Sequence, residues 1–431
     1  MKKLLAAFLA LAMSASVMAG CSSDSSPSSS SDASGETAES SSETSSEEEA
    51  SLSGTITFAT NRTDMDEGLA AIIADFNETY PDVTVEVEPI QDYVTAIKTR
   101  LGSGSAPDVM YVNGQITPTK DLYPEFFLPL DDLGYTADDI YFYDSGVYED
   151  TVYTLCEGVN MTGMVCDMST LKGVGIEETP KTLEEFEVAC EALKAAGITP
   201  IGSMAMTKWP LSSWLTIASA ESPNAEEYYS TITGTDTPFT PDNNFGKMLS
   251  FVKDFLDKGY FDADPVSSDW DILRMDMSKT GFLYVANYAL GALEGTADED
   301  LAFFPMPIDN SGKQYTRMTP SWNLGVNKDC ANPDAAKAFV KFWLEESTFQ
   351  DDTGLTPSLK SRESGLEVVK NFMAQEPVVF EDGGNETYNS LMSAAQFSPD
   401  TDLTQEVMLG KSIEEVCNTY NAKWAEARKT L

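Results

Sequence analysis

The stretch ITFATNRTDMDEGLAAIIADFNETYPDVTVEVEPIQDYVTAIKTRLGSGSAPDVMYV, residues 56–112, switches repeatedly between two hydrophobic periods. Thr55 to Ala59 reads as a strand. From Glu67 to Thr79, Leu69, Ile72, Ile73 and Phe76 fall at helical spacing, and Tyr80-Pro81 stops the run. Val83, Val85 and Val87 return to a period of two. Tyr93, Val94, Ile97 and Leu101 mark a second amphipathic helix closed by Gly102-Ser103-Gly104, and Val109 to Val112 reads as a buried strand. A β-α-β-α-β order requires right-handed crossovers between parallel strands, so the stretch predicts an α/β lobe. Ligands of such sheets sit beyond the carboxyl ends of the strands. That rule points to Asn61, Arg62 and Asp64 after the first strand, and to Asn113 and Gln115 after the third. Turn chemistry is the competing reading, because Asn and Asp serve turns well.

Working outward, a second α/β unit starts near Asn160. Its clearest helix has Thr182 as N-cap, Glu185 at the capping-box position, apolar Leu183, Phe186, Cys190 and Leu193, and Gly197 as stop. Ile198 to Ile201 reads as the strand after it. Asn332-Pro333 opens a late helix with Ala336, Phe339, Val340 and Trp343 on one face, which marks Phe339 and Trp343 as core. The 379 residues from Ser53 to Leu431 exceed one typical core and suggest two lobes.

The N-terminus has a different character. Lys2 and Lys3 precede an apolar run from Leu4 to Met13, and Met18-Ala19-Gly20 leads to Cys21, so residues 1–20 read as a secretory signal peptide. Cys21 directly after Ala-Gly looks like a lipobox, whose thiol takes a diacylglycerol. Residues 22–52 hold fifteen Ser, eight acidic residues and no aromatic residue. Residues 21–52 therefore read as a lipidated cysteine and a disordered Ser/Glu tether, with a reach of about 30 Å. An acylated chain is anchored to a membrane without spanning it.

Charge and composition exclude several function classes. With 27 basic and 70 acidic residues the formal charge is −43, of which about −37 belongs to the folded part. Nucleic acid is disfavoured, because phosphates need Lys and Arg clusters. A neutral or cationic solute suits the body better than an anion. There is no histidine, which removes Ser-His-Asp and Cys-His nucleophiles and HExxH zinc sites. Glycoside hydrolysis by two carboxylates survives. Gly102-Ser103-Gly104 lacks the third glycine of a dinucleotide fingerprint, and Asp400-Thr401-Asp402 lacks the glycine turn of a calcium loop. The expectation is a non-enzyme without metal or cofactor. Cys156, Cys166, Cys190, Cys330 and Cys417 fit no disulfide framework or CxxC site and read mostly as buried thiols, with a Cys156–Cys166 bridge left open.

Motifs in order carry a family resemblance. They are Phe76-Asn77, Tyr80-Pro81-Asp82 before alternating valines, Ser105-Ala106-Pro107-Asp108-Val109 opening a strand, Thr179-Pro180-Lys181-Thr182-Leu183, Ala196-Gly197-Ile198-Thr199-Pro200, Asn332-Pro333-Asp334-Ala335-Ala336 and Gly354-Leu355-Thr356-Pro357. Together they resemble extracellular solute-binding proteins of family 1, the carbohydrate-binding components of ABC importers related to maltose-binding protein. The resemblance implies a two-lobed periplasmic-binding-protein-like α/β fold, each lobe a sheet flanked by helices, joined by a hinge. It implies an N-terminal lobe of residues 53–158 plus 288–328 and a C-terminal lobe of 159–287 plus 329–431. By position the chain would cross near Glu157–Asn160, return near Ala286–Tyr288 and cross again near Asn327–Asp329. The implied function is capture of a sugar or oligosaccharide in the interlobe cleft by hinge closure, and delivery to ABC importer permease subunits. The protein would act as a monomer, lipid-anchored at the outer face of the bacterial cytoplasmic membrane. Alternatives are the same fold binding a non-sugar small solute, a surface glycosidase, and an adhesin or sensory lipoprotein.

A pyranose presents apolar C–H faces and a rim of hydroxyls, so its site needs flat rings and planar polar side chains. Trp209, Trp214, Trp270, Tyr288 and Trp322 are the ring candidates, against a core reading for each. Glu157, Asn160, Asn287 and Asn323 join Asn61, Arg62, Asp64, Asn113 and Gln115 as polar candidates.

Overall fold

Parallel strand pairing in the opening segment follows from its helical crossovers. In the computed structural model, which describes residues 52–293 and 300–431, β1 (Gly54–Thr60), α1 (Asp66–Thr79), β2 (Val83–Pro89), α2 (Tyr93–Ser103) and β3 (Val109–Val112) succeed one another. β1 pairs in parallel with both β2 and β3. Leu69, Ile72 and Phe76 of α1, and Tyr93, Ile97 and Leu101 of α2, are buried, so each helix lays one apolar stripe on the sheet. Helix α2 ends at Gly104, whose φ of 68° is left-handed and suits a residue without Cβ.

Further along come β4 (Thr154–Cys156), β5 (Gly158–Asp167), α3 (Leu183–Ala195), β6 (Thr199–Gly202), β7 (Thr280–Ala286), β8 (Leu301–Phe304), β9 (Met306–Pro307), β10 (Gln314–Pro320) and β11 (Asn323–Val326). Helix α4 (Pro333–Glu345), β12 (Thr356–Pro357) and β13 (Val378–Glu381) follow. The first sheet runs β2-β1-β3-β11-β4, and the second runs β9-β10-β5-β7-β6 with β8 and β12 on β5 and β13 on β10. Helix α3 starts as its sequence predicts: Thr182 Oγ1 accepts the Glu185 N–H at 3.2 Å. The Glu185 carboxylate reaches back to the Lys181 N–H, one residue earlier than in a standard capping box.

Each sheet has its own core. Phe58 of β1 meets Phe339 and Trp343 of α4 at ring-centroid distances of 5.2 and 4.9 Å, which fastens the late helix to the first sheet. Phe186 of α3 packs on Phe282 of β7 at 4.8 Å within the second. The division of the chain differs from the expected boundaries. Residues 301–320 lie in the second sheet rather than the N-terminal lobe, and α4 packs on the first sheet rather than the second. The crossings differ accordingly. The first does occur at Glu157, between β4 and β5. The return is at Ser321-Trp322, between β10 and β11, not near Ala286–Tyr288. The third begins at Leu355, which packs on the first core, and runs past β12, which pairs with the start of β5, to Val369 beneath the second sheet, not near Asn327–Asp329.

Candidate functional site

A cavity of about 420 Å³ opens where the two sheets face each other. Asn113, Thr117, Lys120, Ser145 and Asn323 wall it from the first sheet, Pro320 and Ser321 from the crossing, and residues 383–387 with Asn389 from the second. The turn after β3 is built by Asn113, whose Oδ1 accepts the Gln115 N–H at 2.9 Å and whose carbonyl accepts those of Ile116 and Thr117. This is an Asx turn. A Cβ on Gly114 would sit 2.7 Å from the Asn389 amide nitrogen, so a larger residue there would push the Asn389 side chain aside. Asn323 donates to Ser145 Oγ and Thr154 Oγ1, both at 3.0 Å.

The opposite wall hangs from a buried carboxylate. Arg317 donates to Asp382 Oδ2 through Nε at 2.8 Å and Nη2 at 2.6 Å. The Tyr229 hydroxyl lies 2.8 and 2.9 Å from the two carboxylate oxygens, and the Gly384 N–H reaches Oδ1 at 2.9 Å. Burial pushes the Asp382 carboxyl up, but the Arg317 charge and these donors outweigh it and hold the group below its ordinary range. Beside it, Tyr388 donates to Asp400 at 2.7 Å, and burial raises the Asp400 carboxyl. Asn385 then caps the next helix by accepting the Tyr388 N–H at 2.9 Å.

The first crossing holds a second buried acid. Glu157 is 1% exposed. Its Oε1 accepts from Ser321 Oγ at 3.2 Å, and its Oε2 has no partner among the described residues. Burial pushes this carboxyl up to about 7, against the opposing influence of Tyr111, Ser321 and Arg62. The Tyr111 hydroxyl is likewise buried without a hydrogen bond of ordinary geometry, as is Asn160 Oδ1, while Asn160 Nδ2 donates to the Pro320 carbonyl. Trp322 packs between Tyr93 and Tyr111, at 5.6 and 6.3 Å. Arg62 grips Asp64 with Nε and Nη2 at 2.9 and 3.0 Å, and its guanidinium lies 6.0 Å from the Phe349 ring. That hydrogen-bonded pairing lowers the Asp64 carboxyl, and Arg274 of the other sheet's loops adds to the effect. On that second side Trp209 meets Trp270 and Tyr288, each at 5.4 Å.

Of the fourteen expected residues, Asn113 and Asn323 line the cavity. Glu157, Asn160 and Trp322 lie at the crossings, Asn61, Arg62 and Asp64 follow β1, and Trp209, Trp270 and Tyr288 form a ring cluster of their own. Three stand apart from all of these. Trp214 is 2% exposed and packs on Tyr284 at 5.0 Å, because five residues along a three-per-turn helix turn it away from Trp209 into the core. Asn287 is fully buried and staples β5 to its neighbours, accepting the Met161 N–H at 2.9 Å and donating to the Val159 carbonyl at 3.1 Å. Gln115 is exposed and contributes its backbone to the turn rather than a side chain to the cavity. Missed altogether were Thr117, Ser145, Ser321, Glu386 and Asn389. The local signal for the last two was the turn and cap in Gly383-Gly384-Asn385.

The five described cysteines are free thiols, four of them buried. Among the described residues no group of His, Cys, Asp and Glu is arranged to hold a metal, and no helix is long and apolar enough to cross a membrane. The expected signal peptide 1–20, the lipidated Cys21 and the tether to residue 51 lie outside the described residues.

Comparison with known proteins bears on this architecture. Residues 59–348, about two thirds of the chain, match the family model described as bacterial extracellular solute-binding protein. The multiple sugar-binding protein of Streptococcus mutans is 25% identical over 304 residues, covering 69% of this chain and 72% of that protein. Among solved structures, the BlMnBP1 binding protein of an ABC transporter from Bifidobacterium animalis subsp. lactis, in complex with mannobiose, superposes with a TM-score of 0.72 at 23% identity. That match covers 88% of this chain and 96% of the other. The apo form of RafE from Streptococcus pneumoniae gives a TM-score of 0.71 at 17% identity, over 88% and 99%. At these identities the two structures establish a shared two-lobed fold.

Proposed function

Because the chain belongs to the bacterial extracellular solute-binding proteins, we propose that it captures a sugar or oligosaccharide between its lobes and delivers it to the permease subunits of an ABC importer. The observation that carries this reading is the chemistry of the interlobe cavity. Its polar lining is amide and hydroxyl, from Asn113, Thr117, Ser145, Ser321, Asn323, Asn385, Thr387 and Asn389. Such groups both donate and accept, which matches a ring of sugar hydroxyls. The only charged lining residues are Lys120 and Glu386, one of each sign, and the Lys120 N–H already donates to Glu386. A polyamine would find one carboxylate and one ammonium there, so the lining favours a neutral polyol.

Capture proceeds by closure. A ligand bound to one wall gains a second set of partners when the other wall approaches, and that difference in affinity shifts the population toward the closed form. Turnover has no support in this lining. Glycoside hydrolysis needs two facing carboxylates, and the cavity presents Glu386 alone. The reading includes action by binding alone, as a monomer, and the basic, apolar and small segments before Cys21 support acylation there and a place at the outer face of the cytoplasmic membrane. Titrating the chain with neutral oligosaccharides and, separately, polyamines tests the reading. A sugar at a hundred times its Kd stabilises by about 2.7 kcal/mol and reduces the radius of gyration in X-ray scattering. Stabilisation by polyamines alone, or release of cleaved product, overturns it.

A further inference from the structure

The short helix α5 (Phe349–Thr353) sits where the two lobes meet. At one end Phe349 packs into the first core, 4.8 Å from the Trp343 ring. At the other end its backbone rests on the segment that follows β7 of the second sheet. A Cβ on Gly291 would collide with the Asp352 carbonyl, and one on Gly354 with the Asn287 carbonyl. Between these contacts lies Gln350, 1% exposed. Its Nε2 donates to the Glu157 carbonyl at 2.9 Å and to the Trp343 carbonyl at 3.2 Å, and its Oε1 accepts from Arg362 Nη1 at 3.0 Å. Glu157 opens the first crossing, Trp343 belongs to α4, and Arg362 lies in the third crossing. Arg362 also donates to the Leu344 and Ser347 carbonyls, at 3.3 and 2.5 Å, which sets its charge at the C-terminal end of α4.

We infer that Gln350 is a positioning residue for closure: it fastens the first crossing to the third, so that the crossings bend together and the lobes move as two rigid bodies. The inference rests on the reading of capture by closure. Crossings that flex separately let the lobes twist as well as close, and only the closed arrangement gives a ligand both sets of partners. Backbone pairing continues the fastening, because Thr356 and Pro357 of β12 pair with Val159 and Gly158 just past Glu157. The second crossing joins the same strap: the Glu157 N–H donates to the Trp322 carbonyl and the Ser321 N–H to the Gly158 carbonyl. Gln350 adds the link from this strap to α4 and Arg362. The Glu157 and Trp343 carbonyls are backbone, so no substitution at position 350 removes them. Without the Gln350 amide they find new partners only if the crossing moves.

The test is hydrogen exchange of the ligand-free full chain, read by mass spectrometry, with sugar association and dissociation rates measured alongside, in Gln350→Met and Gln350→Glu. Met keeps the shape and none of the three bonds; Glu keeps the acceptor for Arg362 and loses the donor to Glu157. Asn421→Leu is the control, because Asn421 braces the Phe239 backbone within the second lobe alone, at 2.7 and 3.0 Å. Both Gln350 variants exchange roughly tenfold faster over residues 157–161 and 355–362, the scale of one lost buried hydrogen bond. They also release sugar roughly tenfold faster with association little changed, as an interaction made on closure requires. Asn421→Leu loses stability and changes neither quantity. Parent-like exchange at the crossings, or Gln350 variants that lose stability and keep the release rate, make Gln350 a packing residue and overturn the inference. A parent chain that binds no sugar overturns the capture reading instead, and exchange at the crossings then decides by itself whether Gln350 joins them.

Discussion

Replacing Glu157 with Gln should make the protein more stable at pH 8 and change little at pH 4.5. The carboxyl sits at the first crossing, 1% exposed, with one oxygen unpartnered, and burial raises it from 4.5 to about 7. Between those two values the folded chain holds a proton that the unfolded chain has released. Stability therefore falls as pH rises through this window, and the whole loss is present above pH 7. Holding the proton from 4.5 up to about 7 corresponds to a loss on the order of 3 kcal/mol once the carboxylate is ionised. Gln has the same shape, can keep the Ser321 contact and cannot ionise. The absence of histidine makes the measurement unusually clean, since no other side chain of ordinary pKa titrates near pH 6–7. Asp400, also raised by burial, is common to both proteins and cancels in the difference. Urea denaturation of the ligand-free chain, followed by tryptophan fluorescence from pH 4.5 to 8, gives the two stability curves. They should meet at the acid end and separate by about 3 kcal/mol at pH 8, with the variant above. Parallel curves, or a variant less stable at pH 8, would refute the claim that an ionised Glu157 is destabilising.

Arg317→Met leaves the Asp382 carboxylate buried without its cation, which costs about 3–5 kcal/mol in urea denaturation; adding Asp382→Asn should restore part of that loss, because the stranded charge is gone. Gly114→Ala places a methyl 2.7 Å from the Asn389 amide nitrogen; calorimetry should show sugar affinity falling about tenfold, near 1.4 kcal/mol, with unfolding free energy nearly unchanged. Trp214→Ala empties a core position and costs about 3–5 kcal/mol of stability, whereas Trp209→Ala, half-buried in the ring cluster, should cost much less in urea denaturation; equal destabilisation by the two would contradict their different placement.

What could be read from the chain without its structure follows the range of the signals. β1 to β3 and helices α1 to α4 announce themselves through periods of two and 3.6 that sit within a dozen residues, and caps such as Thr182 and Gly104 are local too. The crossings are not local. β10 and β11 are separated by Ser321-Trp322 alone, yet Pro320 pairs with Val159 in one sheet and Asn323 with Val112 and Cys156 in the other. Nothing in those few residues says that the chain changes lobes between them. The same limit explains Asn287. An asparagine at the end of a strand looks like a ligand contact or a staple in equal measure, and only its three hydrogen-bond partners decide for the staple. The second wall of the cavity lies some 270 residues from Asn113 along the chain, so its Gly383-Gly384-Asn385 turn could be read as a turn and not as a neighbour of β3.

Net charge is where composition argued least well, and distance explains why. About −37 on the folded body disfavours an anion and leaves a neutral or a cationic solute open, with the cation favoured only if charge acts at a distance. Exposed acids more than about 8 Å from a ligand are largely screened at physiological ionic strength, and many acids here are already paired at the surface, as Asp64 is with Arg62 and Asp132 with Lys337. The cavity itself presents one lysine, one glutamate and a majority of amides and hydroxyls. Short-range groups outweigh the distant field, so the acidic surface speaks to solubility and the lining speaks to the ligand. Affinity for a neutral sugar should therefore change little between 50 and 500 mM salt, and a steep salt dependence measured by calorimetry would restore the long-range charge to the argument.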